Sequence, residues 1–494
     1  MEKFSTDNLL PTKSVTIIGG GISGLTLGWF LSKNQIKVKI LEKQKILGGL
    51  ATSIVENGYM MDIGPHYVAL PKKSYITSAI FELMGTENII ELPSNIFQKY
   101  YKTNFNGILY PGYPSLFRVV LDSKFKFKIK SIFSIIGAKI KNSRKLKFST
   151  SKEYLISQYG TFLYDFWFKP YLHRKYLDVE PPLNDIMKQF PKPILSKIFL
   201  SLKKKSEGTQ SNSDNADNDD TVICYFKGGM QSLIQKIISE ISNNGGIIEN
   251  EVNVESIKHN EDFKQIIYVK DSKQINHQSN AIVYCTPLDL TLQWFEQIPK
   301  DIQKNPPSGI HCILVFLMVD SPQLYDSWVV NFYDPKISFS RIAQQNFLSS
   351  TVVPNGKSLL SVEIRTKENN PIWNFDDELL IKRVIDDLKL TKILNKEKVE
   401  NSKILHLKNF YPDTKNKLDL ISKDKKIHFV HSFSKEFTSV TESDSGAVTE
   451  SDSGVLDAGG SGNKATSKIT HGSGVYLSFY NSLKLSEEIM NELK

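Results

Sequence analysis

Near the start of the chain, two short apolar runs flank a longer segment with a helical pattern. Residues 15–18 are all β-branched, which is typical of a strand buried on both faces. Residues 25–32 place apolar side chains on one helix face, and VKILE at 38–42 predicts a second strand. The pattern therefore predicts a strand–helix–strand unit of the α/β class.

Related patterns return later in the chain. Residues 225–257 combine a glycine turn, apolar positions at helical spacing and a Gly-Gly stop that is followed by strands. The segment AIVYCTPLD at 281–289 predicts a strand that ends at a Thr-Pro turn, and residues 327–364 alternate as antiparallel strands do. We therefore expect a parallel and an antiparallel sheet in the same chain.

The length and composition are those of a globular protein with more than one core. The chain has 494 residues, of which 23% are charged, whereas one core accommodates ~250–300 residues. The first residues lack the features of a secretory signal, and no run reaches the ~18 apolar residues of a membrane span. Cys224, Cys285 and Cys312 are scattered, so we expect buried thiols in a reducing cytoplasm.

Part of the net charge of +9 is concentrated between residues 124 and 147. Lysines alternate there with Phe and Ile, a pattern that fits two structures. One is a solvated cationic face on a peripheral helix pair, and the other is a basic amphipathic surface in peripheral contact with an anionic membrane. No nucleic-acid-binding motif accompanies the charge, so we expect no nucleic-acid partner.

Two polar segments are expected to stay outside any packed core. The first is SEGTQSNSDNADNDD, which ends at residue 220, and the second covers residues 440–474, where VTESDSG occurs twice. Both lack periodic apolar residues, and this composition predicts disordered inserts.

A glycine-rich turn joins the first predicted strand to the helix. Gly19, Gly21 and Gly24 have the G-x-G-x-x-G spacing, in which the glycines permit a tight turn, backbone approach to a pyrophosphate and close helix–strand packing. The helix N-terminus then presents free N–H groups to the phosphates. Glu42 ends the second strand, where a carboxylate meets ribose hydroxyls. Strand, helix, strand and acid follow in the required order and predict a dinucleotide site.

A second glycine pair, Gly48 and Gly49, precedes Ala51 and Thr52, and a Gly-Pro-His segment follows at 64–66. This arrangement resembles the N-terminal signature of the FAD-dependent amine oxidoreductase superfamily, which includes protoporphyrinogen oxidases, phytoene desaturases and UDP-galactopyranose mutases. The resemblance implies FAD as cofactor. It also implies a Rossmann-like FAD-binding domain of the glutathione-reductase type, with an interleaved, mixed α+β substrate domain.

The resemblance assigns cofactor contacts residue by residue. The acid at position 42 would bind the adenosine ribose, the glycine pair would pass close to the cofactor, the 64–66 segment would lie beside the isoalloxazine, and backbone at Val254 would contact the adenine. The implied cofactor-binding residues are Gly19, Gly21, Ile22, Ser23, Gly24, Glu42, Lys43, Gly48, Gly49, Leu50, Ala51, Thr52, Gly64, Pro65, His66, Val254 and Thr286.

Weaker motifs extend the resemblance over most of the chain and imply its domain boundaries. FAD-binding parts are expected at 1–69, 221–289 and 406–494, and substrate-domain parts at 70–220 and 290–405. The C-terminal part departs from the superfamily, because the strand KIHFVHSFSKEF shows no glycine. The final segment, from residue 475, still resembles the closing helix.

Three residues are candidates for a catalytic or substrate-binding role. Residues 166–185 are similar to the superfamily's pY-x-x-K-x-W-G element, with Arg174 in place of the lysine, Tyr176 of the tryptophan and Leu177 of the glycine. Arg341 is similar to an arginine near the substrate of mutase-like enzymes, and its alternative is pairing with a local acid. His66 lies in the Gly-Pro-His segment, and its alternative is a hydrogen-bonded support of that turn.

The resemblance implies an oxidoreductase that removes a hydride from a small organic molecule: an amine, a saturated carbon chain or a porphyrinogen-like ring. A flavin-dependent sugar-nucleotide isomerase and a flavin-binding scaffold without turnover remain open as alternatives. No metal site is expected, because none of the nine histidines forms a pair at ligand spacing.

Overall fold

The computed structural model describes residues 13–93, 95–105, 107–112, 116–142, 147–177, 180–190, 221–259, 263–294, 309–411, 428–429 and 474–493. The strands are β1 (Ser14–Ile18), β2 (Lys37–Leu41), β3 (Ser53–Glu56), β4 (Tyr59–Asp62), β5 (Val68–Pro71), β6 (Ile89–Leu92), β7 (Tyr101–Phe105), β8 (Ile108–Pro111), β9 (Thr221–Phe226), β10 (Ile247–Glu249), β11 (Asn253–His259), β12 (Lys264–Lys270), β13 (Lys273–Ser279), β14 (Ala281–Tyr284), β15 (Ile310–Val319), β16 (Val329–Phe332), β17 (Arg341–Gln344), β18 (Ser358–Thr366), β19 (Val399–Tyr411) and β20 (His428–Phe429).

Helices connect and cover these strands. The α-helices are α1 (Ile22–Lys33), α2 (Tyr75–Met84), α3 (Ile96–Lys99), α4 (Leu116–Asp122), α5 (Phe125–Asn142), α6 (Ser151–Leu163), α7 (Lys169–Tyr176), α8 (Leu183–Gln189), α9 (Gly229–Asn243), α10 (Leu288–Thr291), α11 (Asp377–Leu390) and α12 (Gly474–Glu492). Short 3₁₀ helices cover Gly49–Ala51, Thr86–Asn88, Leu292–Trp294, Gln345–Phe347, Ser350–Val352 and Pro371–Asn374, and a π-helix covers Tyr164–Phe168. The predicted insert at 206–220 lies outside the described residues. So does the predicted insert at 440–474, except for its last residue, Gly474, at which α12 begins.

Five parallel strands form the sheet that carries the glycine turn, in the order β10-β2-β1-β14-β20. Val15 of the central strand pairs with Val38 on one side and with Ala281 on the other, so sequence-distant segments complete the sheet. The β-branched side chains of β1 are buried on both faces, as its composition predicts. This confirms the predicted Rossmann-like α/β unit.

Helix α12 closes this unit by packing along α1. The Ser23 hydroxyl donates to the Ser478 hydroxyl at 3.2 Å, and the Ser482 hydroxyl donates to the Ser23 carbonyl at 3.0 Å. All three serines are buried, and Trp29 meets Phe479 edge to face at 6.4 Å. The serines are small enough to let the two helices approach closely, and we call this contact the serine seam.

A seven-stranded sheet, in the order β19-β15-β18-β17-β16-β7-β8, forms a second layer. Its strands are antiparallel except for the parallel pair β16–β7. One face is apolar and packs against Leu380, Val384 and Leu388 of α11. The opposite face packs through Cys312, Leu314 and Phe316 against Met61 and neighbouring residues of the β3–β4 hairpin. The alternation of side chains along the strands therefore turns one face toward the glycine-turn unit.

Helices α5 and α6 form a helical unit with a largely aromatic core. Gly160 has a left-handed backbone, with φ +82°. A β-carbon there would also lie 2.4 Å from the Ser134 carbonyl oxygen, so the position requires glycine. The π-helix and α7 continue the chain and bring Tyr171 against Tyr333, with ring centroids 5.5 Å apart. The helical unit is thereby attached to the end of the seven-stranded sheet.

Candidate cofactor and substrate site

The glycine turn is compact because two of its glycines approach other backbone atoms. A β-carbon at Gly24 would lie 2.0 Å from the Gly19 carbonyl oxygen, and one at Gly19 would lie 2.6 Å from the Cys285 carbonyl oxygen. Gly24 therefore permits the close packing of α1 on β1 that its motif position predicts. At Gly21, by contrast, the nearest such atom is 4.0 Å away, the Cα of Gly49. Gly21 therefore has space for a side chain, so packing within the protein does not explain why this position is a glycine.

The second glycine pair lies directly against this turn. The Gly48 amide donates to the Gly20 carbonyl at 2.8 Å, and Gly21 and Gly48 form an isolated parallel bridge. Gly48 has a left-handed backbone, with φ +105°. A β-carbon at Gly49 would lie 3.2 Å from the Cα of Gly21. Two glycine segments that are distant in sequence thus form one strip of bare backbone at the N-terminus of α1.

Glu42, at the end of β2, faces the same turn. Its Oε2 accepts a hydrogen bond from the Gly20 amide at 2.6 Å, and its Oε1 accepts one from the Gln44 amide at 2.7 Å. The Val252 amide donates to the Glu42 carbonyl at 2.9 Å, which fixes the residue between the parallel sheet and the β11–β13 sheet. The carboxylate is therefore held at the edge of the glycine turn, where the motif requires an acid.

The other predicted cofactor residues surround this strip. Thr286 lies beside Gly19, since a β-carbon on Gly19 would be 3.1 Å from its Cγ2. The Val254 carbonyl accepts a hydrogen bond from the Trp294 indole at 3.3 Å, and the Thr52 hydroxyl donates to Gln231 at 2.5 Å. Of the remaining residues, Ile22, Ser23 and Ala51 are buried, Leu50 and Pro65 are half-buried, and Lys43 is exposed.

The turn after β4 places His66 beside the second layer. The His66 amide donates to the Gly64 carbonyl at 3.0 Å, and Gly64 has φ +116°. Burial and the nearby Arg341 charge lower the pKa of His66 to about 4, so the imidazole is neutral near pH 7. Its Nδ1 is inaccessible to solvent and has no hydrogen-bond partner among the described residues. A buried, neutral and unsatisfied nitrogen is thus available for a bound molecule.

A row of polar side chains lies at paired positions on neighbouring strands of the second sheet, which is otherwise apolar. Asn331, Arg341 and Glu363 occupy paired positions on β16, β17 and β18, and Arg365 stands two residues beyond Glu363. The Tyr101 hydroxyl donates to Asn331 at 3.4 Å. We call Asn331, Arg341, Glu363 and Arg365 the polar row. It lies on the face turned toward the glycine-turn unit, and the charge of Arg341 acts on His66.

Glu363 is the electrostatic centre of the polar row. Its Oε2 accepts a hydrogen bond from Arg341 Nε at 2.9 Å, and its Oε1 accepts one from Arg365 Nε at 2.8 Å. Burial opposes ionisation of Glu363, but the two guanidinium charges outweigh it and lower the pKa of Glu363 to about 2. Two guanidinium groups thus share one buried carboxylate.

Arg174 does not join this row directly. Its guanidinium donates to the carbonyl oxygens of Asp334 (2.5 Å) and Ile337, in the loop between β16 and β17. Burial lowers the pKa of Arg174 to about 10, although nearby carboxylates oppose the shift. The side chain therefore fixes the loop that leads into Arg341.

A buried carboxyl joins the two layers. Asp62 accepts hydrogen bonds from the hydroxyls of Ser53 and Tyr225, each at 2.5 Å, and from the Met230 amide at 3.4 Å. The Gln345 side-chain amide bonds the Asp62 backbone twice, at 3.0 and 2.9 Å. This network fixes the β4 end, from which the turn to His66 starts.

Sequence reasoning missed Glu363, Arg365 and Asp62. A signal for the first two is present in SLLSVEIRT, where two charges occupy alternate positions of a strand that is otherwise apolar. Charges on one face of a buried strand need partners, so the pattern indicates an ion-paired site. Among the described residues, no cluster of His, Cys, Asp and Glu could hold a metal ion.

Three comparisons relate the chain to known proteins. A family model of NAD(P)-binding Rossmann-like domains matches residues 17–82. Coproporphyrinogen III oxidase of Staphylococcus aureus is 25% identical over 403 residues, which cover 76% of this chain and 83% of that protein. 4,4'-Diapolycopen-4-al dehydrogenase of Metabacillus indicus is 22% identical over 76% of this chain and 79% of its own length. Reduced UDP-galactopyranose mutase superposes with a TM-score of 0.63 at 18% identity, covering 81% of this chain and 84% of that one.

Over most of its length the chain is similar to oxidoreductases of the flavin amine oxidase-like superfamily, which agrees with the resemblance seen in its sequence motifs. The glycine turn lies within the matched NAD(P)-binding Rossmann-like domain.

Proposed function

We propose that this protein binds FAD along the strip of bare backbone and oxidises an organic substrate that carries carboxylate groups. The observation that supports this most directly is the contact between Gly21 and the Gly48–Gly49 pair at the start of α1. A plain nicotinamide-binding unit needs only the first glycine turn, whereas a second glycine segment beside it suits a longer, flavin-bearing dinucleotide.

The residues present fit that cofactor. The α1 N-terminus and the Gly19–Gly21 backbone would hold the pyrophosphate, and the Glu42 carboxylate would accept the ribose hydroxyls. The His66 Nδ1, buried without a partner among the described residues, would meet a polar edge of the ring system. Bound FAD would supply a two-electron acceptor for the substrate hydride.

The polar row supports an anionic substrate. Arg341 and Arg365 are oriented by Glu363, and guanidinium groups suit carboxylates through charge-assisted hydrogen bonds. Coproporphyrinogen, on which the Staphylococcus aureus relative acts, carries carboxylates, whereas a carotenoid chain gives a guanidinium no anion to bind. A porphyrinogen-like tetrapyrrole is therefore the substrate class we favour.

The chain's own groups would orient this substrate and exclude water. Arg341 would bind a substrate carboxylate, while neutral His66 would hold a hydrogen bond without adding a second positive charge. Tyr67 packs at 5.5 Å from Trp328 and 4.9 Å from Phe97 beside this space. The surrounding aromatic walls would shield the reacting atoms from solvent.

The test is to purify the protein, identify the released cofactor by mass, and mix the holoenzyme with coproporphyrinogen III or protoporphyrinogen IX without oxygen. We expect loss of the visible flavin absorbance without oxygen. Formation of the porphyrin, which requires several successive two-electron oxidations, should follow once oxygen or another electron acceptor is admitted. Arg341→Ala should raise KM for the porphyrinogen, whereas Arg383→Ala, an exposed arginine paired with Asp387 on α11, should not. A released cofactor other than FAD would contradict the proposal. Turnover of a sugar nucleotide without net electron transfer would support the isomerase alternative.

A further inference from the structure

Helix α5 carries an apolar ridge on its outer side. The ridge consists of Phe125, Ile129, Phe133 and Ile140. At about 100° of turn per residue, these positions fall within an arc of about 80°. Phe125 is 75% exposed, Phe133 69% and Ile140 74%. Such a concentration of exposed apolar side chains is unusual for a soluble surface and marks an interaction site.

Lysines border the ridge on both sides. Helix α5 contains five lysines and no acidic residue. On the helical projection, Lys126, Lys130 and Lys141 lie on one flank, and Lys128 and Lys139 lie on the other. The remaining face of the helix is buried against α6 through Ser131, Ile135 and Ala138. The helix is therefore divided into a buried face, two cationic flanks and an exposed apolar ridge between them.

A groove opens beside the ridge, between α5 and α6. It has a volume of about 750 Å³, and Phe133, Lys130 and Lys141 contribute to its wall together with Phe162 and Glu153. Lys130 lies 6.0 Å from the centre of the Phe162 ring, and Glu153 accepts a hydrogen bond from the Ser149 amide at 2.8 Å. The groove thus places two lysine ammonium groups beside apolar walls.

We infer that the α5 ridge docks this protein on an anionic lipid bilayer, with the ridge in the interface and the lysines against the phosphate headgroups. A helix with an apolar face and a lysine-rich border has the charge and shape for that surface. A second copy of the chain is disfavoured as the occupant, because apposed ridges would bring two sets of five lysines together. Among the described residues, no helix is long and apolar enough to span a bilayer.

Flotation of the full-length protein with vesicles tests this inference. Vesicles of phosphatidylglycerol and phosphatidylcholine in equal parts are compared with vesicles of phosphatidylcholine alone. We expect binding only to the anionic vesicles, with loss at raised ionic strength. Phe125→Ser combined with Phe133→Ser, and Lys130→Gln combined with Lys141→Gln, should each weaken binding by about tenfold or more.

Leu390→Ser is the matched control, because Leu390 is 67% exposed on α11, away from the ridge. It should leave flotation unchanged. Absence of flotation with anionic vesicles, or equal binding to both vesicle types, would overturn the inference. A doubled mass in light scattering that the Phe125/Phe133 variant abolishes would assign the ridge to a second copy instead. Flotation at raised ionic strength is measured on the unaltered protein, so it tests the inferred docking on an anionic bilayer even if a variant misfolds.

Discussion

Arg341 and Glu363 face each other on adjacent strands of the second sheet, and Nε of the arginine donates to Oε2 of the acid at 2.9 Å. The side chain of Glu363 is almost fully buried, and Arg365 occupies its other oxygen. A buried carboxylate with two cations holds both guanidinium groups in fixed orientations. The pairing predicted as the alternative for Arg341 is present, and Arg341 is also near enough to His66 for its charge to lower the pKa of that imidazole.

Replacing Glu363 with glutamine should destabilise the fold strongly. The change removes the buried negative charge that pairs with two arginines, and removing one partner of a buried pair costs about 3–5 kcal/mol. Urea unfolding at neutral pH measures this loss. Glu368→Gln is the control, since Glu368 pairs with Lys408 at an exposed position and exposed pairs contribute about 0–1 kcal/mol. Equal effects of the two substitutions would contradict the structural importance of Glu363.

The same acid should give an acid-dependent loss of stability. The folded-state pKa of about 2 lies below the ordinary value of 4.5, so ionised Glu363 stabilises the native state above pH 4.5. That contribution should disappear as the pH falls from 4.5 toward 2. Urea unfolding of the native protein and of Glu363→Gln should therefore converge across this interval. A constant difference between them would disprove the assignment.

Asp62 should produce the opposite pH dependence. Burial raises the pKa of Asp62 to about 6 from 3.8, although hydrogen bonds from Ser53, Tyr225 and Met230 oppose the shift. The native state therefore binds this proton more tightly, so the contribution is full below pH 3.8 and is lost as the pH rises through 6. About two pKa units correspond to roughly 3 kcal/mol.

The measurement is the free energy of unfolding of the native protein and of Asp62→Asn at several pH values. The native protein should lose stability relative to the variant between pH 3.8 and pH 6. Asp320→Asn is the control, because pairing with Lys357 lowers the pKa of exposed Asp320 and gives no loss in that direction. Parallel profiles for native protein and Asp62→Asn would rule out this role.

Two glycines three positions apart should fail in different ways when enlarged. Gly21→Val places its side chain where the nearest atom of another segment is 4.0 Å away, so the fold should persist while cofactor binding is lost. Gly24→Val forces a β-carbon to within 2.0 Å of the Gly19 carbonyl oxygen. This substitution should lower the melting temperature even of the protein without bound cofactor. Gly137→Val serves as the control for Gly21, since Gly137 also has open space. Full FAD occupancy in a folded Gly21→Val protein would contradict the proposed site.

Arg174 should behave as a positioning residue and not as a substrate ligand. Arg174→Lys cannot reproduce two hydrogen bonds to the Asp334–Ile337 loop, so we expect a lower melting temperature and a small change in kcat. Arg341→Ala should instead raise KM, together with some loss of stability, because it removes one of the two cations that pair with buried Glu363. Calorimetry and steady-state kinetics on both variants separate these outcomes, and a KM increase limited to Arg174→Lys would reverse the assignment.

Local patterns predicted the parts of the site that are built by backbone. Gly19, Gly21, Gly24 and Glu42 follow one another in a short stretch, and their geometry depends on contacts near in sequence. The polar row could not be found in this way, because Arg341 and Glu363 meet only through the register of two strands. The role of Arg174 depends on a loop more than 150 residues away, with a sequence separation of 160 to Asp334. Tertiary pairing, and not composition, decides these contacts.

The serine seam between α1 and α12 bears on how the protein is made. Ser23 and Ser478 are 455 positions apart, so a ribosome must add that many further residues after Ser23 before the first helix can meet its closing partner. Until then, the apolar surface around Trp29 is uncovered. Strand β1 likewise lacks its neighbour β14 until that strand has been synthesised. The unit that carries the glycine turn is therefore completed only after α12 has been synthesised, and its apolar surface is prone to aggregation during that delay.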